Sequence, residues 1–106
     1  MSELINATCP ECRGPLEKTE DPVEFRCLVG HRYSPEALLH AHYEAQERAL
    51  WAAVVALEEA RNIVNRVSSY IRPQLVESVK QEAEHKLQQA KAIRKTLEEL
   101  RPFIIE

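Results

Sequence analysis

The chain has 106 residues, of which 44% are hydrophobic and 29% charged, and a formal net charge of −3. This length suits one small domain or a module with an appendage, and leaves little chain from which to build a large substrate pocket. No apolar stretch reaches the roughly 18 residues of a membrane span, and the N-terminus lacks the basic flank and apolar run of a signal peptide, which together predict a soluble, cytoplasmic protein.

The first chemistry along the chain is a Cys-x2-Cys-x14-Cys-x3-His spacing formed by Cys9, Cys12, Cys27 and His31. It uses every cysteine in the protein. A two-residue gap lets one tight turn present both thiolates to a single ion, and a second pair of donors closes a tetrahedral set. Pro10 stiffens the first turn. The only two glycines, Gly14 and Gly30, flank the ligands, and each is expected to supply a backbone angle that a side chain would oppose. A disulfide between two of the cysteines leaves the third and the histidine unexplained. Iron is the main competing metal, but a histidine in the fourth place favours zinc. One structural zinc ion is therefore expected, and a reducing compartment would keep the thiols available for it.

Between the two ligand pairs, Pro15–Lys18 and Val23–Cys27 are expected to form two short strands around an acidic turn at Asp21 and Pro22. This β-hairpin with metal knuckles reads as a zinc ribbon over residues 1–34. So short a piece cannot bury enough apolar surface to fold alone, so the metal has to stabilise it. Arg13, Lys18, Arg26 and Arg32 are opposed there by six acidic residues. No basic patch stands out, which argues against nucleic-acid binding.

Composition changes at Ser34. Its hydroxyl suits an N-cap and Pro35 suits the first helical position, where no N–H is needed. Good helix formers continue to Ile71, and Arg72-Pro73 breaks the pattern, giving a first helix over about 35–71, roughly 50 Å long. Tyr43, Leu50, Leu57, Val64 and Ile71 form one heptad row, with Ala53, Ala60 and Val67 in a second that Gln46 interrupts. From Gln74 to about residue 101, Val76, Ala83, Ala90 and Leu97 form one row and Val79, Ile93 and Leu100 another, with Lys86 the exception. Residues 35–106 are thus expected to form a long antiparallel helical hairpin with Pro73 at its turn, making the fold predominantly α.

The first helix carries a further stripe: Leu38, Ala45 and Ala52 in one row, Ala49, Ala56 and Ile63 in the next. A segment apolar all round, as from Leu50 to Leu57, is expected to be buried on more than one side. The zinc module and second helix can supply both covers. The favoured expectation is a homodimer through the first long helix, a four-helix arrangement with Trp51 near the contact.

His40 and His42 are two apart and so project from different sides of a helix, and His85 lies among charged residues; all three read as ordinary helix residues. A catalytic zinc keeps a position for water, whereas four protein ligands leave none. With no zinc-protease helix motif, nucleophile elbow, phosphate loop or dinucleotide fingerprint, the chain is not expected to be an enzyme.

The run Cys9-Pro-Glu-Cys12, then Phe25-Arg-Cys27-Leu-Val-Gly-His31-Arg-Tyr-Ser34-Pro-Glu-Ala-Leu-Leu39, then Ala49-Leu-Trp51-Ala-Ala and Ala56-Leu-Glu-Glu59, resembles the zinc-binding C-terminal extension of some bacterial chemotaxis-type protein-glutamate methylesterases. The resemblance covers almost the whole chain and is most specific around the second knuckle. It implies ligand roles for Cys9, Cys12, Cys27 and His31. The methylesterase catalytic domain is absent from these residues, so its activity does not transfer. What remains is a non-catalytic zinc-binding protein with a protein partner, an interaction or regulatory module of bacterial signalling. The alternative is a nucleic-acid-binding zinc ribbon with a helical dimerisation arm, using Arg13, Arg26 and Arg32; a zinc sensor would require a labile site.

Overall fold

A computed structural model of the chain describes residues 3–105; the outermost residues of the two expected regions, 1, 2 and 106, lie outside them. The chain opens with four strands, β1 (Glu3–Thr8), β2 (Pro15–Thr19), β3 (Glu24–Arg26) and β4 (Arg32–Tyr33), and continues with two helices, α1 (Pro35–Val67) and α2 (Pro73–Glu99). It falls into two compact units, one of the residues up to Gln46 together with those from Arg101, the other of Glu47–Leu100. Helix α1 contributes to both.

In the first unit the strands pair antiparallel in sequence order, β1-β2-β3-β4. Two of them, β2 and β3, are the expected hairpin, with Lys18 opposite Phe25 and Thr19 opposite Glu24. The other two extend it on both sides: Glu3 pairs with Lys18 across β1 and β2, and Phe25 with Tyr33 across β3 and β4. The sequence reading did not include these outer strands. The reason is physical: β1 is almost entirely exposed and shows no alternation, and β4 is only two residues long. Edge strands of this kind are defined by backbone pairing across the sheet and carry little apolar signal.

The core of this unit is small. Cys9, Leu16, Cys27 and Tyr33 are buried together, with Ile5, Leu38 and Ala41 packed against them. Half of that core is cysteine, so two of the four expected ligands, Cys9 and Cys27, form part of the interior.

Ser34 caps α1 as expected. Its Oγ accepts a hydrogen bond from the Ala37 N–H at 3.1 Å, and its carbonyl takes the first helical bond, from Leu38 N–H at 2.9 Å. Helix α1 stops at Val67, four residues before the expected end, and tightens into a 3-10 turn at Ser68–Tyr70. The restriction that Pro73 places on Arg72 explains why the chain is extended at Arg72, but the helix yields earlier, at the serine pair. Pro73 occupies the first turn of α2, where its missing N–H costs no hydrogen bond.

Within the second unit, α2 runs back along α1. Arg61 donates to the Glu84 carboxylate through Nε at 2.9 Å and Nη2 at 2.8 Å, and Arg94 makes the same two-pronged contact with Glu58 at 3.1 Å through each nitrogen. Partners that descend in number on one helix as they rise on the other fix the antiparallel sense. Most of the heptad residues are sheltered: Leu50, Leu57, Val64 and Ile71 on one helix and Val76, Val79, Ile93 and Leu97 on the other are half-buried, and Ala83 and Ala90 are buried, whereas Val67 at the end of its row is exposed and the buried Val54 lies outside both expected rows. Lys86 keeps the place the row assigns it. Its stem is half-buried while its Nζ reaches Glu82 Oε1 at 3.4 Å, so the charge leaves the seam and the methylenes stay. No helix is long and apolar enough to cross a membrane among the described residues.

Candidate metal centre

A meander places its odd-numbered turns at one end of the sheet. The β1–β2 turn carries Cys9 and Cys12, the β3–β4 turn carries Cys27 and His31, and both therefore lie at the same end. Each turn is closed by backbone hydrogen bonds. Cys9 N–H donates to the Gly14 carbonyl at 2.7 Å and Arg13 N–H to the Cys9 carbonyl at 2.9 Å; in the second turn Cys27 N–H donates to His31 and Gly30 N–H to Cys27, both at 3.1 Å.

The two glycines play different parts from the shared one expected. Gly30 has a φ of +111°, a backbone region that disfavours any side chain, so the second turn needs it. In the first turn the left-handed residue is Arg13, with φ of 67°, and Gly14 instead lies where an added Cβ would sit 3.5 Å from Cys12 Sγ, an ordinary contact.

All four expected ligands come together. One donor atom from each of Cys9, Cys12, Cys27 and His31 lies within 4.8 Å of every other, and among the described residues no other group of metal donors forms. Cys12 Sγ and Cys27 Sγ are 3.6 Å apart, and His31 Nδ1 lies 3.5 Å from Cys9 Sγ and 3.3 Å from Cys27 Sγ. The three thiols are free. Cys9 and Cys27 are buried, Cys12 is exposed and His31 is half-buried, so the cluster has a protected side and an open one.

Burial and mutual hydrogen bonding shift the four groups of the cluster in opposite directions, Cys9 and Cys27 down, Cys12 and His31 up. Burial pushes the Cys27 thiol up, but hydrogen bonds from the His31 and Gly30 backbone and from the Cys12 and His31 side chains outweigh it and bring it down to about 6. Burial likewise opposes ionisation of Cys9, and hydrogen bonds from Tyr33 and from the Cys12 and Glu11 backbone lower it below the usual thiol value. Cys12 goes the other way: a backbone hydrogen bond at Gly14 lowers it, yet burial and the neighbouring Cys27 and Cys9 leave it raised. His31 is raised chiefly by its contact with Cys27, burial opposing. A divalent cation would stabilise all three thiolates at once and remove the conflict at Cys12.

Two residues beside the ligands escaped the sequence reading. Glu11 Oε2 lies 3.1 Å from His31 Nε2, and the Tyr33 hydroxyl donates to Glu11 Oε1 at 3.2 Å while touching Cys9 Sγ at 3.3 Å. Burial, and then Cys9 and Glu11, push the Tyr33 phenol far above its ordinary value, so it stays a donor. The remaining histidines take no part in the cluster. His40 and His85 are exposed, beside Glu44 and Glu82 respectively, and His42 is exposed as well.

Comparison with protein-family models, with curated proteins and with solved structures finds no match.

Proposed function

We propose that the chain is a non-catalytic protein held at one end by a single structural zinc ion, and that it acts as a protein-interaction or regulatory module in bacterial signalling of the chemotaxis kind. The observation that carries the metal is distance. A tetrahedron with arms of about 2.3 Å to sulfur and about 2.0 Å to nitrogen has edges of about 3.8 Å between sulfurs and about 3.5 Å between sulfur and nitrogen. The 3.6 Å between Cys12 and Cys27 and the 3.5 and 3.3 Å from His31 Nδ1 to Cys9 and Cys27 fall close to those edges. Three thiolates with one imidazole also match zinc better than magnesium or calcium, which prefer oxygen.

Four protein donors complete a tetrahedral shell, which supports a fold-holding ion over one that activates water. For the interaction role the support is surface. The stripe of α1 that does not face α2 leaves Val55 and Ile63 49% and 56% exposed beside Ala49, Ala52 and Ala56, and the loop between Cys27 and His31 leaves Leu28 and Val29 84% and 76% exposed. Trp51 lies under the Arg94 guanidinium, 5.3 Å from the ring centroid. Homodimerisation through α1 is the partner arrangement we favour, because its alanines permit close approach of a second copy. The signalling context rests on the Cys27–Leu39 segment and its similarity to the methylesterase extension.

The test has two parts. Metal analysis is expected to give one zinc per chain, and the cobalt-substituted protein a strongly absorbing tetrahedral spectrum that added azide does not change; an azide-sensitive spectrum overturns the non-catalytic assignment. Light scattering at micromolar concentration is expected to give a dimer mass, and a monomer mass overturns the pairing through α1.

A further inference from the structure

We propose that Glu11 and Tyr33 form an outer shell to the metal, with His31 ligating through Nδ1 while the Glu11 carboxylate holds its Nε2. The inference rests on the metal assignment above and adds two residues outside the ligand set. Its basis is which atom of the imidazole faces what. Nδ1 lies among the sulfurs, 3.5 Å from Cys9 and 3.3 Å from Cys27, whereas Nε2 lies 3.1 Å from Glu11 Oε2. An imidazole that gives its Nδ1 lone pair to an ion keeps its one proton on Nε2, and that N–H then points at a carboxylate oxygen. The carboxylate selects the tautomer that binds.

Glu11 uses both oxygens. Oε2 meets His31, and Oε1 accepts from the Tyr33 hydroxyl at 3.2 Å. The same hydroxyl lies 3.3 Å from Cys9 Sγ, and a metal-bound Cys9 has no proton to give, so the one Tyr33 proton serves two acceptors, the thiolate and the carboxylate. These contacts tie the turns together a second time. Glu11 comes from the β1–β2 turn, while His31 and Tyr33 sit just before and within β4, so the carboxylate bridges the halves of the site that the ion itself bridges.

Exposure makes the case sharper. The Glu11 side chain is 57% exposed and can hydrate freely, so nothing about packing forces it onto two neighbours at once. Glu11→Ala consequently removes no core, and any loss of metal affinity reports the outer shell. Tyr33 is buried, and Tyr33→Phe keeps the ring while deleting the hydroxyl.

The experiment is zinc affinity of the full chain by competition with a chromophoric chelator, joined to nitrogen-15 NMR of the His31 ring in the zinc-bound protein. Glu11→Ala is expected to weaken zinc by about 10- to 100-fold, the range for lost outer-shell partners. Glu11→Gln retains an acceptor for Nε2–H and a donor toward the Tyr33 oxygen, so its loss is expected to be smaller, and Tyr33→Phe is expected to weaken binding while leaving the ring tautomer intact. The ring should show a protonated Nε2 whose proton exchanges faster with water in Glu11→Ala. A ring protonated on Nδ1, or a Glu11→Ala protein that binds zinc as tightly as the parent, overturns the proposal. A parent chain that binds no zinc overturns the metal assignment itself, a result distinct from either.

Discussion

The two compact units are built from different materials. The sheet unit buries Cys9, Leu16, Cys27 and Tyr33, two of which are proposed ligands, whereas the helical unit buries Val54, Ala83 and Ala90 along a seam of half-buried aliphatic residues. In the first, half of the core consists of proposed ligands, so burial of Cys9 and Cys27 and the proposed metal binding would be coupled. In the second, stability comes from a repeated apolar row with arginine–carboxylate pairs along its edge. A small unit with thiols at its centre needs an external source of free energy, and a heptad seam does not.

Removing the metal should therefore separate the units. Structural zinc contributes about 10 kcal/mol or more to small modules of this kind, more than the sheet unit's few buried side chains can replace. A strong chelator is expected to abolish amide protection in β2 and β3 while most of the helical circular dichroism survives. If the helices melt with the sheet, the two units are one cooperative body and the contrast fails. The same coupling predicts that binding at the proposed zinc site weakens as pH falls, because each thiol must lose its proton before it ligates.

What the sequence made legible follows the same division. The four expected ligands are separated by two, fourteen and three residues, so their pairing into two turns is local information, and all four side chains do converge. The helical rows are equally local: a period of seven placed Ala83 and Ala90 on the buried face, where they are. The partners of Glu11 were hidden, because a glutamate and a tyrosine twenty-two residues apart have no shared period. They meet only once the meander has brought the first and third turns to one end. Arg13 as the left-handed residue was hidden for a related reason, since a neighbouring glycine offered the more obvious site.

Core substitutions sharpen the comparison further. Leu16 is the one fully buried aliphatic residue among the described residues of the sheet unit, and Leu16→Ala is expected to cost about 2 to 5 kcal/mol. With folding and metal binding coupled as proposed, that loss is expected to read out as weaker zinc binding, with the helical melting transition unchanged. Ala90→Leu is its counterpart in the other unit. Ala90 is completely buried in the seam, and added methylenes at such a position cost about 1 to 3 kcal/mol. The expected result is a lower helical melting temperature with zinc affinity preserved. A change in zinc affinity from Ala90→Leu would show that the units communicate.

The smallest effect belongs to the edge of the seam, where Arg61 grips Glu84 through two hydrogen bonds at 2.9 and 2.8 Å. Both side chains are about half exposed, so screening by water keeps the pair weak. Its pH dependence nevertheless has a definite sign. The hydrogen bond from Arg61 holds the Glu84 carboxyl below its ordinary value of 4.5, so on acidification the unfolded chain takes up this proton before the folded chain does. The stabilisation is thus fully present above 4.5 and disappears as pH falls through the lower folded-state value. Glu84→Gln removes the titrating group, so the difference in helical melting temperature between parent and variant should be small at neutral pH and vanish in strong acid. Measuring that difference, instead of either curve alone, cancels any loss of the proposed zinc that acid would impose on both proteins alike. A difference that grows on acidification would mean that Glu84 is destabilised by its surroundings and that the pair is no part of what holds the two helices together.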